Sequence, residues 1–499
     1  MAHRTKRWLD LEHDARQILN ELDQMAMSNT AYDTAWVARV PGENGHSNLA
    51  FPEALDWLRI SQHPNGSWGA KFEYYHDLII STLAATIALA KSDDRSRDVE
   101  AIKRGESYVR RNIQNLHRDP YETVGFELLL PTLMQEARRL GLDLPYSKCV
   151  KYAHLREKKL ELIPGEMIYS REATTAHSLE FMGNELNIEQ AGGIQEENGS
   201  FGNSPSATAY FLVKCQENAA ARQYLAEAVN VGGGVAMPLH PVEVFNKSWV
   251  LYNLDLAGLL DELKEEAKPH LDHLYQAWDD QRGIGFSQQY SIPDLDDTAV
   301  VFKLLRQAGY DVNPSVFTTF EKDSHFICFP YERNPSMGVH VHLLDTLRIC
   351  LDYEHQPRLV DKTLNFYRTQ IQNASWFDKW HASPYYILCH AAIAILDYDN
   401  ELASKLIDCI IRAQRQDGSW GYYDSSTSEE TAYCLQALLM YHRQVKPVDR
   451  AVIYHAARYL YVHYRVQDHP PLWIDKCLYT PMSIVRSAIL SALWMYENL

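Results

Sequence analysis

The stretch "DGSWGYYDSSTSEETAYCLQALLMYH", residues 417–442, decides the fold. A Gly-Ser turn brings in an aromatic ring, a polar loop follows, and apolar residues then recur at spacings of three and four, the period of a helix. The signature returns as "NGSWGA" at 65–70, "NGSFGN" at 198–203 and, more loosely, "GIGFSQ" at 283–288, where Ile284 and a second glycine replace the Gly-Ser pair. Each copy precedes a new helix with small residues near its start. Trp68 and Phe201 stand 133 positions apart, and Phe286 and Trp420 stand 134 apart. The chain therefore reads as two similarly built halves, each a ring of paired helices tied by turns that carry an aromatic plug.

Outward from these turns, the segments "HDLIISTLAATIALA", "TVGFELLLPTLMQEARRLG", "DDTAVVFKLLRQAG" and "ASKLIDCIIRAQ" repeat the helical period, and alternating strands are nearly absent. The fold class is all-α. With 499 residues, two domains of roughly 200 to 250 residues each are expected. The Gly- and Pro-rich stretch "VGGGVAMPLHPVE", 231–243, marks the clearest break between halves; a flexible linker and a shaped loop in a pocket wall both fit its composition.

The balance of charge excludes some partners. A net charge of −17 argues against nucleic acid or an anionic membrane as the main partner, because either would be repelled over most of the surface. Eight cysteines are scattered without a CxxC pair or a zinc-like spacing, and they read as buried reduced thiols. The N-terminal residues lack the apolar core of a signal peptide, and no uninterrupted apolar window of about 18 residues exists for a spanning helix. A cytoplasmic location is expected.

The chemistry concentrates in "SIPDLDDTAV", residues 291–300, which sets Asp294, Asp296 and Asp297 just before an apolar helix. One aspartate serves as a helix cap, because a carboxylate there accepts orphan N–H groups and meets the favourable end of the dipole. Three exceed that need. Close carboxylates repel as anions, so such a cluster lowers its energy by holding a proton, and a neutral aspartic acid in a dry pocket is a Brønsted acid. A cation formed by such an acid needs aromatic faces around it. Trp376, Trp380, Tyr385 and Tyr386 in "SWFDKWHASPYY", with Tyr32 and Trp36 in "AYDTAW", are dense enough to line a pocket of that kind.

"DLDDTA" resembles the DxDD signature of class II terpene cyclases. "SNTAYDTAWVARV", "NGSFGNSPSATAYF", "HSLEFM", "SWFDKWHASPYY", "DGSWGYY" and "SEETAYCLQALL" resemble the same family in the same order, from about residue 28 to about residue 490. Size and wording are similar to the bacterial diterpene cyclases that make halimane-, clerodane- or copalyl-type diphosphates. The resemblance implies two α/α-barrel domains in the βγ arrangement: residues 1–24 and 225–499 as the β domain, and 25–224 as an inserted γ domain. It implies cyclisation of geranylgeranyl diphosphate to a bicyclic diterpenyl diphosphate. Asp296 would protonate the terminal alkene, with Asp294 and Asp297 orienting it or supplying its proton. The diphosphate is retained in such a reaction, and a downstream class I synthase, phosphatase or transferase would take the product. Class I motifs are missing: "DDRSRD" at 93–98 has the wrong spacing for DDxxD and sits in a polar loop.

The same resemblance supplies expectations for the rest of the site. "LREKKLELIP" points to Lys159 as a diphosphate ligand, with Arg156 and Lys158 nearby, and Lys379 is a second candidate. Mg²⁺ is the expected cofactor, with Asp119 and Glu122 in "HRDPYETVGFE" as the available metal ligands. "AHSLEF" keeps His177, the histidine of the family's terminal base. The asparagine that partners it in plant copalyl-type members is replaced by Met237 and Pro238. A weakened base would let the cation rearrange, which favours a halimane or clerodane skeleton. A squalene-type triterpene cyclase and a non-catalytic isoprenoid-binding α-barrel are the alternatives.

Overall fold

Two kinds of helix alternate along the chain, and composition decides which lies inside. Tyr75–Lys91 is mostly apolar and is buried on every face, from Tyr75 through Ala90. Asn400–Arg412 buries only Ala403, Leu406, Ile407 and Ile410, one stripe at helical spacing. Helices of the first kind line the cores and those of the second kind wrap them. The computed structural model describes residues 9–24, 27–42, 49–372 and 376–499.

The helices Glu243–Leu256, Leu295–Gln307, Met337–Leu347, Pro384–Ala394, Ser428–Gln444 and Met482–Glu497 close an inner ring, each packing on the next and the last on the first. Lys264–Ala277, Gln356–Gln372, Asn400–Arg412 and Arg450–His463 pack outside it. The N-terminal helix Leu11–Glu21 joins this ring, against Met482–Glu497 and Lys264–Ala277. A second ring is closed by Ala31–Val37, Tyr75–Lys91, Phe126–Arg139, the 3₁₀ segment Thr174–Met182 and Pro205–Cys215. Each ring holds its own apolar core. One unites Leu11–Met27 with Met237–Met495, and the other runs from Ala31 to Ala236 and takes in Cys477.

The recurrent turns tie the inner to the outer helices by one device. The backbone N–H groups of Trp68, Phe201, Ile284 and Trp420 donate to the hydroxyls of Thr82, Thr208, Thr298 and Thr431, each at 3.0 Å. The indoles of Trp68 and Trp420 donate to the carbonyls of Leu58 and Ile410 at 2.8 Å. In the third copy the plug is therefore Ile284 rather than Phe286: without the intervening serine the turn is one residue shorter, and Phe286 stacks on Tyr290 instead, with ring centroids 4.3 Å apart.

This frame also places the aspartates. Ser204, Asp294 and Thr427 occupy one position in three turns, each bridging back to its plug residue and each capping the following helix through its side chain. "DLDDT" thus overlies "SPSAT" and "TSEET", with the fifth residue, threonine, taking the plug's N–H. The "VGGGVAMPLHPVE" stretch is a shaped loop: Ala236 exchanges hydrogen bonds with Thr30 and Thr34 of the second ring, and Leu239 and Val242 line a cavity. The two-stranded sheet found among the described residues, Trp473–Ile474 with Leu478–Tyr479, reaches the same cavity.

Candidate active site

Between the two cores lies a cavity of about 270 Å³, bounded by Leu239 and Val242 of the shaped loop, the start of helix Leu295–Gln307 and the Trp473–Tyr479 hairpin. Such concave sites with an apolar wall and a few converging polar groups are where ligands bind.

All three aspartates line it, and their surroundings separate their roles. Asp294 is the helix cap, its side chain accepting from the Asp297 N–H at 2.8 Å. Asp294 and Asp297 are 3% and 4% exposed, whereas the Asp296 side chain is 17% exposed, so Asp296 is the carboxyl turned to the cavity. Burial pushes Asp294 well above the ordinary carboxylate range, and the neighbouring charge of Asp297 adds to it. Burial and the charge of Asp296 push Asp297 up to about 7. Behind Asp296 runs a buried chain: its Oδ1 lies 2.6 Å from His342 Nδ1, and His342 Nε2 lies 2.9 Å from His390 Nδ1. Burial, then the nearby His342, holds His390 well below the usual range, so it is neutral.

The apolar wall is aromatic, with Phe245, Trp249, Phe286, Tyr290, Trp380 and Trp473 on the cavity. Of the rings expected from the sequence, Trp380 alone is there. Tyr32 and Trp36 sit at 0% and 2% exposure in the second core, where Tyr32 donates to Glu180 at 3.0 Å and Trp36 packs under Arg39. Tyr386 is buried in the first core, stacked on His381, while Trp376 and Tyr385 pack on the periphery of that core. These five rings correct the expectation, because a dense run of aromatic residues serves core packing as readily as it lines a cavity.

At one wall of the cavity the cations gather. Lys159 donates to the Tyr331 carbonyl at 2.7 Å, and Lys379 donates to Glu332 at 2.6 Å and to the Asn334 carbonyl at 2.8 Å. Arg333, unmarked by any sequence motif, joins them on Glu122 at 2.9 Å. Arg156 and Lys158 lie off the cavity, Arg156 on Glu185 and Lys158 in solvent. The two expected metal ligands line one neighbouring cavity, where Asp119 accepts from the backbone and ring of His76 at 2.7 and 2.8 Å and Glu122 is held by Arg333 at 2.9 Å. Among the described residues no three His, Cys, Asp or Glu side chains gather as a metal site; Mg²⁺ is commonly held through one or two carboxylates together with substrate phosphates.

His177 is on the cavity, and the partner that "VAMP" withholds comes from elsewhere: its Nε2 lies 2.9 Å from Asp475 Oδ1 and its Nδ1 3.1 Å from the Gly202 carbonyl. Next to Asp475, the fully buried Lys476 holds Glu180, Ser204, Ser206 and the His177 carbonyl. The sequence did carry a signal for this pair, an Asp-Lys inside the apolar run "LWIDKCLY". His342 and Arg333 had none.

Residues 194–337 match the family described as terpene synthase, N-terminal domain. A type B diterpene cyclase of Mycobacterium tuberculosis is 36% identical over 95% of this chain and 96% of its own. Among solved structures, ent-copalyl diphosphate synthase from Streptomyces platensis superposes with a TM-score of 0.78 at 27% identity, covering 98% of this chain and all of the other. The Arabidopsis thaliana ent-copalyl diphosphate synthase, in complex with (S)-15-aza-14,15-dihydrogeranylgeranyl thiolodiphosphate, gives 0.73 at 26% identity over 97% of this chain and 62% of that one. Similarity that runs nearly end to end in both chains, together with an acidic cluster facing an aromatic cavity, identifies the family: the chain belongs to the class II diterpene cyclases.

Proposed function

We propose that the protein cyclises geranylgeranyl diphosphate by protonation to a bicyclic diterpenyl diphosphate, keeping the diphosphate. The observation that carries this reading is the position of Asp296, the one carboxyl of its cluster exposed to a cavity walled by aromatic rings. Asp296 gives a proton to the terminal alkene, and Asp294 and Asp297, buried and raised, hold protons behind it. The faces of Trp249, Phe286 and Trp473 stabilise the cation and exclude water. Lys159, Lys379 and Arg333 bind the diphosphate, exchanging their present acceptors for phosphate oxygens. Mg²⁺ is assigned as the counter-ion of the diphosphate, since Asp119 and Glu122 are engaged by His76 and Arg333.

The skeleton is of halimane or clerodane type, supported by the replacement of the plant members' asparagine by Met237 and Pro238, which alters the group that quenches the cation. The product passes to a class I synthase, phosphatase or transferase, because the chain carries no DDxxD motif of the kind that ionises a diphosphate. The chain works in the cytoplasm; its eight cysteines are free, and no helix among the described residues is long and apolar enough to cross a membrane. The domains are an outer pair of segments around an insert. The two cores support the expected division, with the crossing nearer 236 than 225, since helix Ala219–Val231 packs wholly in the second core.

The test is incubation of the purified protein with geranylgeranyl diphosphate and Mg²⁺, followed by phosphatase and identification of the alcohol by mass spectrometry and NMR. A bicyclic C20 alcohol is expected from the unmutated protein, and about a 10³-fold slower formation from Asp296→Asn. Recovery of geranylgeraniol alone from the unmutated protein would remove the assignment.

A further inference from the structure

The reaction needs a group that takes a proton as well as one that gives it, and the geometry around His177 does not leave its ring free for that task. Its Nδ1 faces the Gly202 carbonyl at 3.1 Å, and a carbonyl oxygen only accepts, so Nδ1 carries hydrogen. Its Nε2 faces Asp475 Oδ1 at 2.9 Å. Burial would raise the Asp475 carboxyl, but His177 and Lys476 beside it hold it below the usual carboxylate range, so Oδ1 is also an acceptor. Both nitrogens are thus spent on oxygens, and neither turns a lone pair to the cavity. The second oxygen of the carboxylate differs: Asp475 Oδ2 is buried and has no hydrogen-bond partner among the described residues, in a side chain that lines the cavity. A buried carboxylate oxygen without a donor is costly, and it persists where function uses it.

We propose that Asp475 is the proton acceptor that ends the cyclisation, and that His177 is a positioning residue that orients it. This deepens the cyclase reading above and rests on it. In the last step a C–H bond next to the cationic carbon breaks, its electron pair becomes the new C=C bond, and the proton passes to Asp475 Oδ2. Cation and carboxylate neutralise each other. Asp296 has by then given up one proton and Asp475 has gained one, so the substrate is isomerised with no net proton change, and exchange with solvent restores both groups. The carboxylate stands on the hairpin between the two cores, on a different element from Asp296, so acid and acceptor address different parts of one folded chain. A carboxylate partner also explains how the site works without the asparagine that "VAMP" lacks.

The experiment compares the unmutated protein, Asp296→Asn, Asp475→Asn, Asp475→Glu and His177→Asn in the geranylgeranyl diphosphate assay, with melting temperatures alongside. Asp475→Asn is expected to lower formation of the unmutated product by roughly 10²-fold or more while substrate still cyclises, with hydroxylated or differently unsaturated alcohols in its place. Asp475→Glu keeps the charge beside His177 and Lys476, and is expected to shift the position of the double bond. His177→Asn is expected to slow turnover yet keep the double bond where it is, as a positioning role requires. An unchanged product at an unchanged rate from Asp475→Asn, or from Asp475→Glu should the amide fail to fold, overturns the proposal. So does a shifted double bond in His177→Asn with none in either Asp475 variant. No product from the unmutated protein takes the cyclase reading down first, and this one with it.

Discussion

Asp294, Asp296 and Asp297 share one turn of chain, yet the cavity sees only the middle one well, and the flanking pair absorbs the electrostatic cost of the crowding. Asp297 is pushed up to about 7, and Asp294 well above the ordinary range, burial acting first on each. The folded protein therefore holds these protons more tightly than the unfolded chain, whose carboxyls titrate near pH ~4. The sign follows. Their contribution to stability is fully present below pH ~4 and is lost as pH rises through about 7. Catalysis loses its proton store over the same rise, so kcat is expected to fall about tenfold per pH unit above ~7. Asp33 and Asp77, each pushed up to about 6 by burial, add to the stability trend but not to the rate. A pH series of kcat and of urea midpoint separates the two: in Asp297→Asn the descending limb of kcat should move, while the trend in midpoint should only shrink. The sequence made the crowding legible, and the family resemblance pointed to Asp296 as the acid. It did not show which neighbour would hold the proton, because that depends on burial from helices far along the chain.

At the scale of the element, the turn is the unit that the sequence announces most clearly. Gln62, Gln195 and Gln414 each donate to the carbonyl of a glycine four residues on, at 3.0, 2.7 and 2.9 Å, and that glycine abuts the next outer helix. Gly418 has φ +91°, and a Cβ there would lie 2.4 Å from the His455 carbonyl oxygen. Gly309 has a similar φ of +86° but nothing within 4 Å of a built Cβ. Gly309→Ala is therefore expected to cost only the left-handed backbone term, about 1 kcal/mol, while Gly418→Ala must also push an outer helix away and should cost about 3 kcal/mol. Urea unfolding of the two variants measures the difference, and equal losses would show that the turns do not hold the outer helices. Three of the four turns are legible because Gly-Ser-aromatic spells them out. The third misleads, since its plug is Ile284 and the eye falls on Phe286, an aromatic ring released to the cavity by a turn one residue shorter.

At the scale of the molecule, the nearly equal spacing of the turns was enough to expect two helical rings, because repeats that cannot bury their faces alone must close on one another. How the rings join could not be read in that way. The joint is made by contacts between residues nearly 300 positions apart, and its centre is Lys476, at 0% exposure. Lys476 Nζ, on the hairpin, shares its three N–H groups among Glu180 at 2.9 Å, the His177 carbonyl at 2.8 Å and the hydroxyls of Ser204 and Ser206 at 2.6 and 2.5 Å, all in the second ring. A buried pair of this kind gives little net stability over an apolar pair of the same shape, but removing one partner strands the other. Lys476→Met should therefore cost about 3–5 kcal/mol, leaving the buried carboxylates of Glu180 and Asp33 without their cation, and Lys476→Met with Glu180→Leu should recover much of it. The same lysine fixes the backbone of His177 and stands next to Asp475, so the double variant has a second readout. Its urea midpoint should return towards that of the unmutated protein while turnover stays low, because the pin that aligns the two walls of the cavity is gone. If turnover returned with stability, Lys476 would be a matter of packing alone, and the two rings would hold their alignment through their apolar surfaces.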